Sequence, residues 1–517
     1  MTARPGHAPI DGQPDGERLI RALAAFVTLQ LLVGCVYVTP TDRGADSFAV
    51  SAQSDSRLAR MLADFPPAGR AMVINDPALA LTSRLDLIDS ADHAIDVQYF
   101  IWQNDPSGIL VIDRLLAAAD RGVRVRALVD DVQLKGLVPR LTVINSHPNI
   151  EVRIFNPFSV RIGFQEDLFR LAEFAIDGNR LNHRMHNKLL VADNQLAILG
   201  GRNIGDDYFG LSTRRNFIDT DLLLSGAVVP SLSSGFDAYW NSRWAVPVEV
   251  LLSFSLAPDD LPSLQERIRD RLADYPELTA LVEPKRIQTM VADLAAAHAL
   301  DSAVALVDDP DVSWGKKPEE IADALTELAL SAEREVLVVS PYLVLTQRLL
   351  DLGTTLHERG VNIQLVTNSL ASNDVVIAHA AYARFRQTVL DTGTDLYEFR
   401  GDPAMMKDDP AEDFSLHSKY ILFDDDRIFV GSLNLDPRSL HLNTELGVLV
   451  RSRTLADELR AYFFELIDPD NAWRVLEDAD GLVWESSAGR QTHQPAKGPW
   501  QRFRSWFLML LPVTDQL

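Results

Sequence analysis

Two stretches of this chain repeat one spacing, and that repeat constrains the fold more than any other feature of the sequence. His186-Asn187-Lys188 is followed after four residues by Asp193, then by Gly200-Gly201 and Asn203. His417-Ser418-Lys419 is followed after four residues by Asp424, then by Gly431-Ser432 and Asn434. The Asp-to-Gly interval is seven residues and the Asp-to-Asn interval is ten in both copies, inside otherwise different sequence. A spacing kept across two His, two Lys, two Asp and two Asn marks an internal duplication.

The surrounding pattern repeats too. Residues 94–102 (AIDVQYFIW) read as a buried strand, 108–121 as an amphipathic helix closed by Gly122, and 123–129 (VRVRALV) as the next strand. The motif follows, and then a strand at 220–224. In the second unit, 335–340 is a strand, 346–358 a helix closed by Arg359-Gly360, and 361–367 a strand. The Arg-Gly pairs lie 238 residues apart and the motif histidines 231. Strand–helix–strand order implies βαβ units and an α/β class with parallel or mixed sheets. The expected division is a leader or anchor at 1–34, a tether at 35–70, a first domain at 71–250, connector helices at 251–310, a second domain at 311–480 and a tail at 481–517.

Within each motif the alternation of a strand puts His186 with Lys188, and His417 with Lys419, on one face. The Asp positions read as hairpin turns, and the glycines permit close backbone approach where the return strand ends. Asn203 and Asn434 then come back toward the histidines. Lys and Asn donate hydrogen bonds, and Lys adds positive charge, so two of each suit the non-bridging oxygens of a phosphodiester. Two imidazoles supply a nucleophile on one side and a general acid on the other. The lysines do the charge neutralisation that a divalent cation does elsewhere, so no metal and no cofactor is expected. Paired His ligands at zinc spacing and Cys ligands are both missing from the sequence.

A formal net charge of −24 argues against a protein that grips nucleic acid through its phosphates. The single cysteine, Cys35, excludes an internal disulfide. It stands directly after an uncharged thirteen-residue run, 22–34, that follows Arg18 and Arg21. This is the length of a signal-peptide core and short for a membrane span. Ending Leu32-Val33-Gly34-Cys35, it resembles a bacterial lipobox, whose Cys is lipidated and becomes the first mature residue. Asp11, Asp15 and Glu17 are unusual before such a core, and an uncleaved anchor is the alternative. At the other end, Trp500, Phe503, Phe507 and Leu510 recur at helix-face spacing, with Arg502 and Arg504 on other faces. This reads as an interfacial helix, or as a helix docked on the protein's own surface. The expected location is therefore a cell membrane, lipid-anchored on the periplasmic or external face, with the outer membrane as the alternative.

The double motif resembles that of the phospholipase D superfamily, over nearly the whole chain after the leader. Within it the chain looks like the cardiolipin synthase C-type branch, on IDVQYFIW from Ile95, RGVRVRALVDD from Arg121, GGRNIGDDYF from Gly200, SPYLV from Ser340, VTNSLASND from Val366 and DPRSLHLNTE from Asp436. The resemblance implies two pseudo-symmetric α-β-α-β-α sandwich repeats packed face to face, with one active site between them. It implies a covalent phosphatidyl-histidine, with His186 carried over as nucleophile and His417 as general acid and base, although sequence alone leaves their order open. Lys188, Lys419, Asn203 and Asn434 would hold the phosphate. Asp193 and Asp424 enter the catalytic set as motif members, their turn positions suiting a structural acid as well. A downstream acid is implied to orient each histidine: Glu445 for one half and Asp221, after Thr220, for the other. The implied reaction makes cardiolipin from phosphatidylglycerol and a second phospholipid such as phosphatidylethanolamine. Hydrolysis to phosphatidic acid is the alternative, and a nuclease of the same superfamily is disfavoured by the acidic charge.

Overall fold

The computed structural model describes residues 44–134, 137–158, 166–251, 260–282, 286–311 and 320–509. Cys35 and Leu510 lie outside them.

Two mixed sheets carry the fold. The first has nine strands, in the order His298–Ala299, Arg70–Ile74, Asp221–Ser225, Leu196–Gly200, Lys188–Ala192, Ala94–Tyr99, Arg124–Asp130, Ile150–Phe155 and Ala245–Pro247. The second has ten: Ser302–Val307, Leu446–Arg451, Arg427–Gly431, Tyr420–Phe423, Glu335–Val339, Asn362–Asn368, Asp395–Phe399, Ala472–Asp478, Gly481–Ser486 and Gly489–Gln491. From Arg70–Ile74 and from Ser302–Val307 onward the two orders match over eight strands, after which the second sheet adds Gly481–Ser486 and Gly489–Gln491. In each, three central strands run parallel and the motif hairpin pairs antiparallel beside them. The duplication thus extends to topology. Strand Ser302–Val307, inside the stretch read as connector, pairs with Leu446–Arg451, and strands Gly481–Ser486 and Gly489–Gln491 stand where a tail was expected.

The crossover helices are set by their ends. Asp105 caps Pro106–Asp120 by accepting from the Gly108 N–H at 2.9 Å, and Thr346 caps Gln347–Glu358. Gly122 and Gly360 follow at φ of +94° and +78° with open space where a Cβ would stand, so backbone conformation, not room, requires glycine there.

Three clusters of buried apolar side chains define the layers. The middle one is shared: Leu189, Leu199 and Leu222 of the first sheet meet Leu422, Val430 and Val448 of the second. Helices Val228–Trp240 and Arg453–Leu466 lie in this cluster. Helices Pro77–Ser90 and Pro106–Asp120 cover the outer face of the first sheet, and Glu320–Leu330 and Gln347–Glu358 that of the second. The result is the expected α-β-α-β-α sandwich. Leu, Val and Ile dominate these contacts, and their burial supplies the main drive for the halves to associate.

Candidate active site

The halves are stitched together at their histidines. Strand Arg215–Ile218 pairs in parallel with Asp413–Leu416 of the other half, and the His417 N–H donates to the Ile218 carbonyl at 2.7 Å. Symmetrically, the His186 N–H donates to the Thr444 carbonyl, and the Thr444 N–H to that of Arg184, each at 2.9 Å. Lys188 lies opposite Tyr99, and Tyr420, next to Lys419, opposite Val339, so both motifs sit at the carboxyl ends of central strands, the usual place for a ligand in such sheets.

Each histidine is then held by an acid from the opposite half. His186 Nδ1 lies 2.9 Å from Glu445 Oε2, and His417 Nδ1 lies 2.6 Å from Asp219 Oδ2. A ring nitrogen that donates to a carboxylate leaves Nε2 with its lone pair for chemistry. Lys188 and Lys419 each donate from Nζ to the carbonyl of the histidine two residues earlier, at 2.5 Å. All six side chains are buried. Phe100 sets its edge against His186 with centroids 4.9 Å apart, and Tyr208 and Phe217 stand 5.3 and 5.1 Å from His417.

Burial, reinforced by the charges of Lys188 and Lys419, holds both imidazoles well below their usual range, which favours the neutral form of each. Burial pushes Glu445 up to about 7 and raises Asp219, while it lowers Lys188 strongly and Lys419 to about 8. Lysines pressed toward neutrality in a buried pocket are groups that an arriving anion would recharge.

Other expected residues stand elsewhere. Asp193 accepts from the N–H groups of Asp92, His93 and Ala94 at 2.8 to 3.0 Å. Asp424 does the same for Glu333, Arg334 and Glu335 at 2.8 to 3.3 Å. Both sit at the far tip of the hairpin, a five-residue strand or about 16 Å from the histidine end in the first half. Their place among catalytic residues is therefore corrected: they pin the hairpin tip to the start of the neighbouring strand. Asp193 and Asn194 have φ of 51° and 55°, a turn that Asp and Asn tolerate.

Asp221 is also corrected. Its carboxylate is spent on Arg84 at 2.9 Å and Arg202 at 3.2 Å, and Asp219, two residues earlier, takes the histidine. The sequence held the signal: Asp219 stands three residues before the apolar run Leu222–Leu224, as Glu445 stands three before 448–450. The likeness of Thr220-Asp221 to Thr444-Glu445 misled: in the first half the Thr-acid pair falls two residues after the acid that takes the histidine.

Asn203 accepts from the Ile101 N–H at 3.1 Å and donates to the Tyr208 hydroxyl at 2.9 Å, while Asn434 donates to Ser439 Oγ at 3.3 Å. Each still has an amide hydrogen to offer. Ser432 donates to Glu445 Oε2, a contact the sequence did not foretell.

The model of the cardiolipin synthase PLD-like domain matches residues 85–240 and 325–467, one motif in each segment. Cardiolipin synthase C of Escherichia coli is 35% identical over 462 residues, covering 84% of this chain and 93% of that protein. A cardiolipin synthase of Staphylococcus aureus is 26% identical over 384 residues, 74% of this chain and 64% of that one. Among solved structures, phosphatidylserine synthase of Haemophilus influenzae superposes with a TM-score of 0.58 at 15% identity, covering 89% of this chain and 99% of that one, a likeness of fold. With both halves matched and the motifs meeting as described, the chain belongs to the phospholipase D superfamily, in its PLD-like family of cardiolipin synthases.

Proposed function

We propose that this enzyme, a phospholipase D-type phosphatidyltransferase, joins phosphatidylglycerol to a second phospholipid to make cardiolipin, with phosphatidylethanolamine as a donor. The observation that carries the reading is the crossed pair of His–acid contacts, which readies two imidazole Nε2 atoms beside two lysines. His186 Nε2 attacks the donor's phosphorus, the bond to the headgroup oxygen breaks, and His417 gives its proton to the leaving alcohol. His417 then takes a proton from a phosphatidylglycerol hydroxyl, whose oxygen displaces His186 from phosphorus. The substrate's negative charge offsets Lys188 and Lys419 and lets one imidazole hold that proton. The assignment of roles rests on the acids. Glu445, pushed up to about 7, gives His186 the less negative partner, suited to a neutral nucleophile. Asp219, 2.6 Å from His417, suits an imidazolium. Lys188, Lys419, Asn203 and Asn434 hold the phosphate oxygens.

The enzyme is proposed to work at a membrane surface. Among the described residues no helix is long and apolar enough to cross a bilayer. Helix Pro499–Met509 leaves Trp500, Phe503, Trp506 and Phe507 each half or more exposed, while Ser505 is buried beneath it. Trp500 and Phe503 stack at 5.4 Å, an aromatic face of the kind that settles at the headgroup level. A lipidated Cys35 would supply the second anchor, on the periplasmic or external face of the cell membrane or at the outer membrane.

Incubation with phosphatidylglycerol and phosphatidylethanolamine in mixed micelles containing EDTA tests the reaction. Cardiolipin and free ethanolamine are expected. Phosphatidic acid alone would reassign the enzyme to hydrolysis, and a strict metal requirement would overturn the two-histidine scheme. Flotation with anionic vesicles, lost when Trp500, Phe503, Trp506 and Phe507 are changed to Ser, tests the surface.

A further inference from the structure

The outer layers of the two halves differ in how they are filled. In the second half the space between sheet and helices, lined by Val336, Val338 and Ile363, is only about 130 Å³. In the first half the corresponding layer keeps a cavity of about 430 Å³, within the range of small-molecule sites. Its floor is Ala127 and Val129 of strand Arg124–Asp130, and its walls are Ile112, Ile144 and Ile268. Helix Leu261–Ala273, which carries Ile268, roofs it and comes from the connector between the halves. Polar groups stand only at the mouth: Gln103, Asn104, Arg140, Arg267, Asp270, Arg271 and Asp274. Arg140 donates to Asn104 Oδ1 at 2.7 Å and Arg271 to the Asn104 carbonyl at 3.1 Å, which fixes two guanidiniums at the rim with hydrogens to spare. Apolar walls give a water no partners along this length, so an occupant without polar atoms there fits them.

We infer that this cavity binds one long acyl chain, whose acidic head rests on the arginines at the mouth. Arg140 and Arg271 offer N–H donors there, and a carboxylate or phosphate head matches them. The chain could belong to a substrate phospholipid or to a free fatty acid. The mouth favours the substrate as source, because Trp102, Gln103 and Asn104 come, after Ile101, from the same loop as Phe100, whose ring lies 4.9 Å from that of His186.

Binding of cis-parinaric acid, a fluorescent fatty acid, tests the site in the full chain. The wild-type protein is expected to take up one probe, and Ala127→Phe to weaken binding at least tenfold without change in melting temperature. Should Ala127→Phe fail to fold, Ile112→Trp fills the space from the helix side, and Arg140→Glu with Arg271→Glu removes the charge at the mouth. Equal binding by folded filling variants, or none by the wild type, overturns the site. His186→Ala is expected to bind the probe normally, so the outcome does not depend on the catalytic reading. The source is read from turnover. If a substrate chain enters, Ala127→Phe lowers kcat/KM for long-chain phosphatidylglycerol and spares a four-carbon-chain analogue. If a fatty acid is the occupant, both rates stay and only probe binding falls.

Discussion

The two histidines sit in matched frames but in different company. Around His186 the orienting acid is Glu445, and Ser432 donates a hydrogen bond to it. Around His417 the acid is Asp219, and the position equivalent to Ser432 is Gly201, where a Cβ would lie 2.1 Å from Asp219 Oδ1. One half thus holds its acid with a hydroxyl, and the other makes room for its acid by leaving out a side chain. The difference teaches that the duplication preserved the geometry of the pair while letting the means of holding it diverge, which two distinct chemical roles would require.

The harshest way to break the comparison is to remove each histidine. His186→Ala and His417→Ala should each lower kcat by about 10⁴-fold. Only His417→Ala should retain radiolabelled phosphatidyl group on the protein, and label trapped on His186→Ala instead would exchange the two roles. Next come the acids. Asp219→Asn and Glu445→Gln should each cost on the order of 10²-fold, through loss of ring orientation, whereas Asp221→Asn should act on folding through Arg84 and Arg202. A smaller and asymmetric effect belongs to the positions beside the acids. Gly201→Ser should drive Asp219 aside and cost more than tenfold in kcat, while Ser432→Gly removes the bond to Glu445, worth about 1 kcal/mol, together with one from the Leu446 N–H that does not touch the acid, and should cost less than tenfold. Equal losses at the two positions would refute the distinction.

The pH dependence of stability sharpens it further. Folded, Glu445 keeps its proton up to about pH 7; unfolded, it releases it near 4.5. Between those values the folded state binds more protons, so the residue's contribution falls as pH rises. Glu445→Gln should therefore gain melting temperature over the wild type as pH goes from 5 to 7.5, and a gap that stays constant would argue against the buried acid. The mildest effect on catalysis belongs to Asp193→Asn and Asp424→Asn. Melting temperature should drop as backbone hydrogen bonds are lost, with kcat of the folded enzyme unchanged.

Much of this was legible in the chain. The doubled spacing marked the repeat, and strand–helix–strand periodicity with the Arg-Gly pairs located the crossovers that now superimpose in topology. What stayed hidden was long-range. His186 meets an acid 259 residues away and His417 one 198 away, each across the interface, and a local pattern carries no sign of which half a partner comes from. The Thr-acid pair chose Asp221, an acid of the right type two positions off, whose partners Arg84 and Arg202 are visible only once the sheet is built. For Asp193 and Asp424 the sequence offered two readings, motif member and structural turn acid, and the hairpin tip takes the second. A carboxylate beside a catalytic histidine in sequence is here a full strand away in space.

The crossed pairing has a consequence for how such a chain arises and fails. Each half lends its acid to the other's histidine, so neither is a working unit, yet two copies of either ancestral half related by a twofold axis would have completed each other. The present chain carries both members of such a pair in one covalent chain. Within one chain the two copies need not be identical, since a change on one side appears only once in the site. Redundancy is absent too: a lesion in either half silences the whole. Two dead chains, one lacking His186 and the other His417, could regain a single live centre by exchanging intact halves. Activity in such a mixture, growing with concentration, would show that the halves pair between chains as they do within one.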